Sequence, residues 1–156
     1  MTQAINLELR GGETKSFTDL VMDYTGTLSL DGTLLPGVAH CMERLAKDVR
    51  ITVLTADTFG KAKDQLAGLP VDARIVETGR DKAEFVKKLG AERVIAIGNG
   101  RNDIAMMAMA GLRIAVIGPE GSSAELLLVA DVVVSNILDA LDLITNPLRL
   151  KATLRD

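Results

Sequence analysis

Short apolar runs in this sequence are each followed by residues that can handle phosphate chemistry. Leu20-Val21-Met22 leads into Asp23, Ile51-Thr52-Val53-Leu54 into Thr55, Ile75-Val76 into Arg80-Asp81-Lys82, and residues 94–97 into Gly98-Asn99-Gly100-Arg101-Asn102-Asp103. Asp23 opens Asp23-Tyr24-Thr25-Gly26-Thr27-Leu28, where Gly26 permits a tight turn whose successive amides, Tyr24 among them, can hold a phosphoryl oxygen. A carboxylate placed there can attack phosphorus and split a hard displacement into two easier ones. The Thr55 hydroxyl and the amides that follow it, from Ala56 on, suit phosphate if a helix begins near Thr58. Lys82 stands near the start of a helix, where its charge opposes the macrodipole, and an ammonium there can neutralise both Asp23 and a transferring phosphoryl group. Asp103, beyond a loop carrying Gly98 and Gly100, offers oxygen to a hard cation such as magnesium.

Each residue also has an ordinary reading. Asp23 can be a strand-end turn residue, Thr55 a helix cap, and Lys82 a solvated lysine like Lys87 and Lys88. The 98–103 loop is not a dinucleotide fingerprint, because the position three after Gly100 is Asp103.

The elements that must position these residues follow from periodicity. Residues 5–9 alternate, Gly11-Gly12 makes a turn, and residues 17–22 return to apolar character, predicting a hairpin over residues 3–17 that leads into a buried strand. Further apolar runs at 51–54, 75–76, 94–97, 114–117 and 132–134 alternate with helical spacing. Val38, Cys41, Met42 and Leu45 trace one helical face, as do Phe85, Val86 and Leu89, then Ile104, Met107 and Ala108, and last Leu138, Leu141 and Ile144. The pattern predicts a three-layer, Rossmann-like α/β domain with a parallel sheet. It is expected to be one domain over 1–156, with its core over 18–145 and a tail over 146–156 that docks on a neighbour or frays after Pro147. In such a sheet ligands sit beyond the carboxyl ends of the strands, where all four candidate segments fall.

Composition narrows the chemistry further. The 156 residues hold one cysteine, Cys41, and one histidine, His40, which excludes an internal disulfide and a thiolate–histidine zinc cluster. A net charge of −3, with 3 Phe, 1 Tyr and no Trp, argues against nucleic-acid binding. The apolar stretch over 126–134 is interrupted by Asp131, far short of the roughly 20 residues of a membrane span. The N-terminus lacks the basic start and apolar stretch of a secretory signal, so a cytoplasmic location is expected.

The ordered set of aspartate, threonine, lysine and acidic loop resembles the haloacid dehalogenase-like (HAD) superfamily, over about residues 20–134. Asp23-Tyr24-Thr25-Gly26-Thr27-Leu28 looks like the phosphorylation motif of P-type ATPases, and Leu54-Thr55-Ala56-Asp57 like their Thr-Gly-Asp segment. The whole chain, including Ala115-Val116-Ile117-Gly118-Pro119-Glu120-Gly121, is most similar to soluble P-type ATPase-like HAD hydrolases. The resemblance implies that Asp23 is nucleophile and magnesium ligand, that Thr25 supplies magnesium with its backbone carbonyl, and that Thr55 binds the phosphoryl group. It implies that Lys82 balances charge, and that Asp103 holds magnesium directly or through water, with Asn99 beside it. Two positions depart from the usual phosphatase pattern: Thr25 replaces the general acid/base aspartate, and Asn99 replaces the first acid of the magnesium loop. Only 31 residues separate Asp23 from Thr55, which leaves no room for a large cap domain.

The expectation is a magnesium-dependent phosphohydrolase of a small phosphorylated substrate, slow for want of an acid at Thr25, with an open site that a second copy in a homo-oligomer could cover. A low-turnover regulatory or binding module on the same fold is the rival class. A phospho-receiver-like domain is disfavoured by the Thr25-Gly26-Thr27 turn and by the late position of Asp103.

Overall fold

The computed structural model describes residues 4–156. The chain opens with an antiparallel hairpin of β1 (Ile5–Glu8) and β2 (Thr14–Phe17), joined by a helical turn at Arg10–Gly12. Met1, Thr2 and Gln3, the last of them the first residue of the expected hairpin, lie outside the described residues. The strand β3 (Asp19–Asp23) follows, then a miniature hairpin of β4 (Ser29–Leu30) and β5 (Thr33–Leu34). Helices and strands then alternate as α1 (Val38–Leu45), β6 (Arg50–Thr55), α2 (Ala62–Leu66), β7 (Asp72–Ile75) and α3 (Gly79–Leu89). They continue as β8 (Val94–Gly98), α4 (Ile104–Met109), β9 (Leu112–Val116), α5 (Ala124–Val129) and β10 (Val132–Val134), and close with α6 (Ile137–Thr145) and α7 (Pro147–Leu154).

Six strands form one parallel sheet in the order β10-β9-β8-β3-β6-β7. From the central β3 the chain builds outward through β6 and β7, then crosses to β8 on the other flank and builds outward again. That reversal falls at β3, and the carboxyl end of the strand at such a switch point is the place where open α/β sheets bind ligands. Alternation along the strands divides the core into two layers. Leu20, Met22, Ile95 and Ile97 face a layer completed by Met42 and Leu45 of α1 and by Leu141 and Ile144 of α6. Val21, Val94 and Ala96 face the opposite layer, with Val86 of α3, Met106 and Met107 of α4, and Leu126 of α5. The three-layer α/β architecture expected from the sequence is therefore present, and no large cap interrupts it.

Several local expectations change. The apolar stretch over 17–22 is two strands, because Thr18 turns the chain out of the hairpin before β3 begins. The buried face of α4 uses Met106 and Met107, while Ala108 is exposed. The strand ending near Val76 stops at Ile75, and the one ending near Ile117 stops at Val116.

The tail neither frays nor needs a neighbour. Pro147 stands in the first turn of a new helix, where its missing N–H costs nothing. The helix α7 folds back onto β1, burying Leu150 in the core beside Leu7 and pairing Lys151 Nζ with Glu8 Oε2 at 3.1 Å. We expect Leu150→Ala to cost about 2–5 kcal/mol in urea unfolding, the range for a buried leucine truncated to alanine. A loss within about 0.5 kcal/mol, typical of surface changes, would show that the helix does not pack there.

Candidate active site

Asp23 ends β3 at this switch point and is buried. Its Oδ1 accepts a hydrogen bond from Lys82 Nζ at 2.7 Å, and the same ammonium donates to Asp103 Oδ1 at 2.8 Å. Lys82 reaches this point from the first turn and a half of α3, whose start is set by a reciprocal cap. Asp81 N donates to Thr78 Oγ1 at 3.2 Å, and Thr78 N donates back to Asp81 Oδ2 at 3.0 Å. Lys82 and Asp103 are as inaccessible as core leucines, so the solvated reading of this lysine is wrong.

Asp103 is held on its other oxygen by the backbone of its own loop. Asn99 N and Gly100 N both donate to Oδ2, each at 3.1 Å. Glycine is required at 98 because a Cβ there would lie 2.5 Å from Asp103 Oδ2. Asn99 is the hub of the loop. Its Oδ1 accepts from Thr27 Oγ1 at 3.1 Å, its Nδ2 donates to Gly121 O at 3.0 Å, and its own carbonyl accepts from Ser122 Oγ at 2.9 Å and Ser123 N at 2.8 Å. The Gly121 contact fixes which end of the amide is oxygen. Thr27 Oγ1 also lies 3.2 Å from Asp23 Oδ2, so one hydroxyl spans the nucleophile candidate and the Asn99 loop. In the sequence Thr27 stands out only as part of a turn, and its position four residues after Asp23 across Gly26 is the available signal. Gly26 has φ +77°, and a Cβ there would collide with Asn99 Nδ2.

Thr55 does not behave as a helix cap. The next helix starts at Ala62 rather than near Thr58, so no helix N-terminus faces Thr55. Its Oγ1 instead accepts from Asp57 N at 2.9 Å, closing a turn in which Asp57 takes φ 55° and receives Ala62 N on Oδ1 at 2.9 Å. Strand register puts Leu54 opposite Asp23, so Thr55 and the exposed Ala56 stand just beyond it at the same end of the sheet. Tyr24 is buried and donates its hydroxyl to Gly32 O at 2.7 Å, anchoring the β4–β5 hairpin. Its phenol is pushed up to about 12 by burial and by the charge of Asp57, so only its backbone amide remains for phosphate. Thr25 is half-buried in the turn.

Two carboxylates against one ammonium leave one negative charge in a desolvated pit. Burial, then the charge of Asp103, push the Asp23 carboxyl up to about 7 against the opposing pull of Lys82. Burial alone would lower the Lys82 ammonium, but Asp23 and Asp103 outweigh it and hold its pKa above the ordinary lysine value.

This excess charge and the donor chemistry fit a hard divalent cation. The side-chain oxygens brought together are the Asp23 and Asp103 carboxylates and the Asn99 amide, with no thiolate or imidazole among them. Among the described residues no group of three or more His, Cys, Asp or Glu side chains gathers in one place, so neutral oxygens must complete any such site. Asp103 Oδ2 is filled by two amides, which leaves its Oδ1 or an intervening water for a cation.

A family model described as haloacid dehalogenase-like hydrolase matches residues 69–138. An uncharacterised protein of Methanocaldococcus jannaschii is 49% identical over 73 residues, spanning 47% of this chain and 78% of that one. The fold is shared with 3-deoxy-D-manno-octulosonate 8-phosphate phosphatase from Moraxella catarrhalis, solved with magnesium, phosphate and the sugar acid. That match has TM-score 0.67 and 18% identity, covering 87% of this chain and 90% of that one. A phospho-aspartyl intermediate analogue of phosphoserine phosphatase superposes with TM-score 0.65 and 17% identity, over 83% of this chain and 100% of that one. Among the described residues no helix is long and apolar enough to cross a membrane.

Proposed function

Because this chain belongs to the haloacid dehalogenase-like hydrolases, we propose that it hydrolyses phosphate esters of small or exposed substrates, with Asp23 as nucleophile. The observation that carries the reading is Asp23 at the carboxyl end of the central strand, clamped by Lys82, which also clamps Asp103. A carboxylate oxygen of Asp23 attacks phosphorus as the ester P–O bond breaks, giving an aspartyl-phosphate and an alkoxide that takes its proton from water. A second water then attacks phosphorus, releasing inorganic phosphate and restoring the carboxylate. The Thr55 hydroxyl and the Ala56 and Tyr24 amides hold phosphoryl oxygens, and Lys82 offsets the transferred charge. Asp23, the Thr25 carbonyl, Asp103 and Asn99 would hold magnesium, which when bound neutralises phosphate charge and steadies the transition state.

Within the family we place the chain beside the soluble P-type ATPase-like members, supported by Asp23-Tyr24-Thr25-Gly26-Thr27 and by Leu54-Thr55-Ala56-Asp57. A threonine at 25 neither donates nor accepts protons effectively near neutral pH, and general acid–base help is typically worth ~10²–10⁴-fold. Turnover is therefore slow, and poor leaving groups suffer most. That same neutral residue favours the second reading, a regulatory module that retains phosphate on Asp23.

The test is phosphate release from p-nitrophenyl phosphate with magnesium or with EDTA, joined to acid-quench trapping. Metal-dependent release with a trappable phosphoenzyme supports the hydrolase. Trapping without release supports the module, and neither would overturn both. Asn99→Asp adds a negative charge beside Asp23 and Asp103 and removes the donor to Gly121 O. We expect this variant to bind magnesium more tightly, by about tenfold, yet to melt earlier than wild type in EDTA. Titration calorimetry and thermal melts check the two halves, and unchanged magnesium affinity would mean that Asn99 does not face the cation.

A further inference from the structure

The six-stranded sheet has two edges, and they differ in chemistry. The β7 edge carries Asp72 and Arg74, both more than half exposed and paired with each other at 2.8 Å. Charged side chains of this kind keep an edge strand from pairing with another chain. The β10 edge reads Val132-Val133-Val134, with no charge and, among the described residues, no strand on its outer side. Val132 and Val134 pack with the layer of α1 and α6, so alternation turns Val133, 44% exposed, toward the α5 side of the sheet. On that side α5 carries Leu128, 90% exposed. An uncharged, β-branched edge with apolar surface on its flank is a template for a further strand.

The charges of the adjoining groove select which strand that is. Asp139 and Asp142 of α6 and Arg149 of α7 line this groove together with the β10 valines. Among the described residues none of the three has an ion-pair partner. Asp139 stands in the first turn of α6, near the carboxyl end of β10, whereas Arg149 stands in the first turn of α7, past the far end of α6. The groove therefore presents a carboxylate toward one end and a cation toward the other. A second copy laid antiparallel along β10 is reversed end for end, so Arg149 of each copy meets Asp139 of the other. A parallel copy would set like charge against like. Self-complementarity of this sort is what a two-fold interface requires.

We propose that β10 is a dimerisation edge, on which a second copy of this chain adds its own β10 antiparallel and joins two six-stranded sheets into one continuous sheet. The strands β9 and β8 separate this edge from β3, so each copy keeps its own Asp23 site clear of the interface.

The test is light scattering of the full chain from micromolar to near-millimolar concentration. We expect the wild type to rise to twice the monomer mass as concentration increases. Val133→Lys places on β10 the kind of guard that β7 already carries, while Arg149→Asp and Asp139→Arg reverse the two ends of the groove. Each should weaken the dimer by at least about tenfold, since like charges brought together across an interface are costly. An equal mixture of the two charge-reversal variants should dimerise again, because each reversed position then faces a complementary one, and that recovery also shows both chains folded. A wild-type monomer at every concentration, a dimer unaffected by all three variants, or reversal variants that melt like wild type yet fail to associate when mixed would overturn the proposal.

Discussion

Asp23→Asn is expected to reduce magnesium-dependent phosphate release to background and, in the same protein, to raise the melting temperature of the metal-free chain. The amide cannot attack phosphorus, which accounts for the first effect. The second follows from the pit itself. Asp23 titrates near 7 in the folded chain against an ordinary value of 3.8, so between those values the folded state holds a proton that the unfolded state has released. Stability from this group is therefore present below about pH 4, falls as pH rises through the window, and is lost above about 7. At pH 8 a neutral Asn relieves the clash of Asp23 with Asp103 and leaves Lys82 paired with Asp103 alone. A tenfold change in proton affinity is worth about 1.4 kcal/mol, and each kcal/mol moves the melting temperature by about 2–4 °C at this chain length. Thermal melts in EDTA should show a clear gain at pH 8 that shrinks toward pH 5, where wild-type Asp23 is already protonated. Equal activity of mutant and wild type would end the nucleophile assignment, and an equal gain at both pH values would end the electrostatic account.

Removing the lysine has the opposite effect on stability. Lys82→Ala leaves two buried carboxylates facing each other with no cation between them, and breaking a buried ion pair from one side typically costs about 3–5 kcal/mol. We expect a destabilisation of that size in urea at pH 8, partly restored by magnesium, and a rate loss of at least about tenfold wherever the chain stays folded. Lys87 and Lys88 lie on the exposed side of the same helix, and their alanine variants should stay within about 0.5 kcal/mol of wild type. Indistinguishable behaviour of all three variants would return Lys82 to the status of a surface lysine.

Periodicity is enough to read the order of the strands along the chain, the two-sided burial of the sheet and the ends at which Asp23, Thr55, Lys82 and Asp103 stand. These are legible because a period of two or of 3.6 reports which face of an element meets the core, and residues that follow a buried run must emerge at its end. Partnership is set only by the packed fold. That Thr27 meets Asn99, 72 positions away, depends on β3 and β8 lying side by side in one register. That Lys82 is buried between Asp23 and Asp103 depends on α3 passing over that same seam, and locally only its place at the start of the helix separates it from Lys87 and Lys88. The miniature hairpin after Thr27, the late start of α2 and the docking of α7 on β1 are hidden in the sequence for the same reason. Each is too short, or too weakly periodic, to declare itself without the surface it packs against.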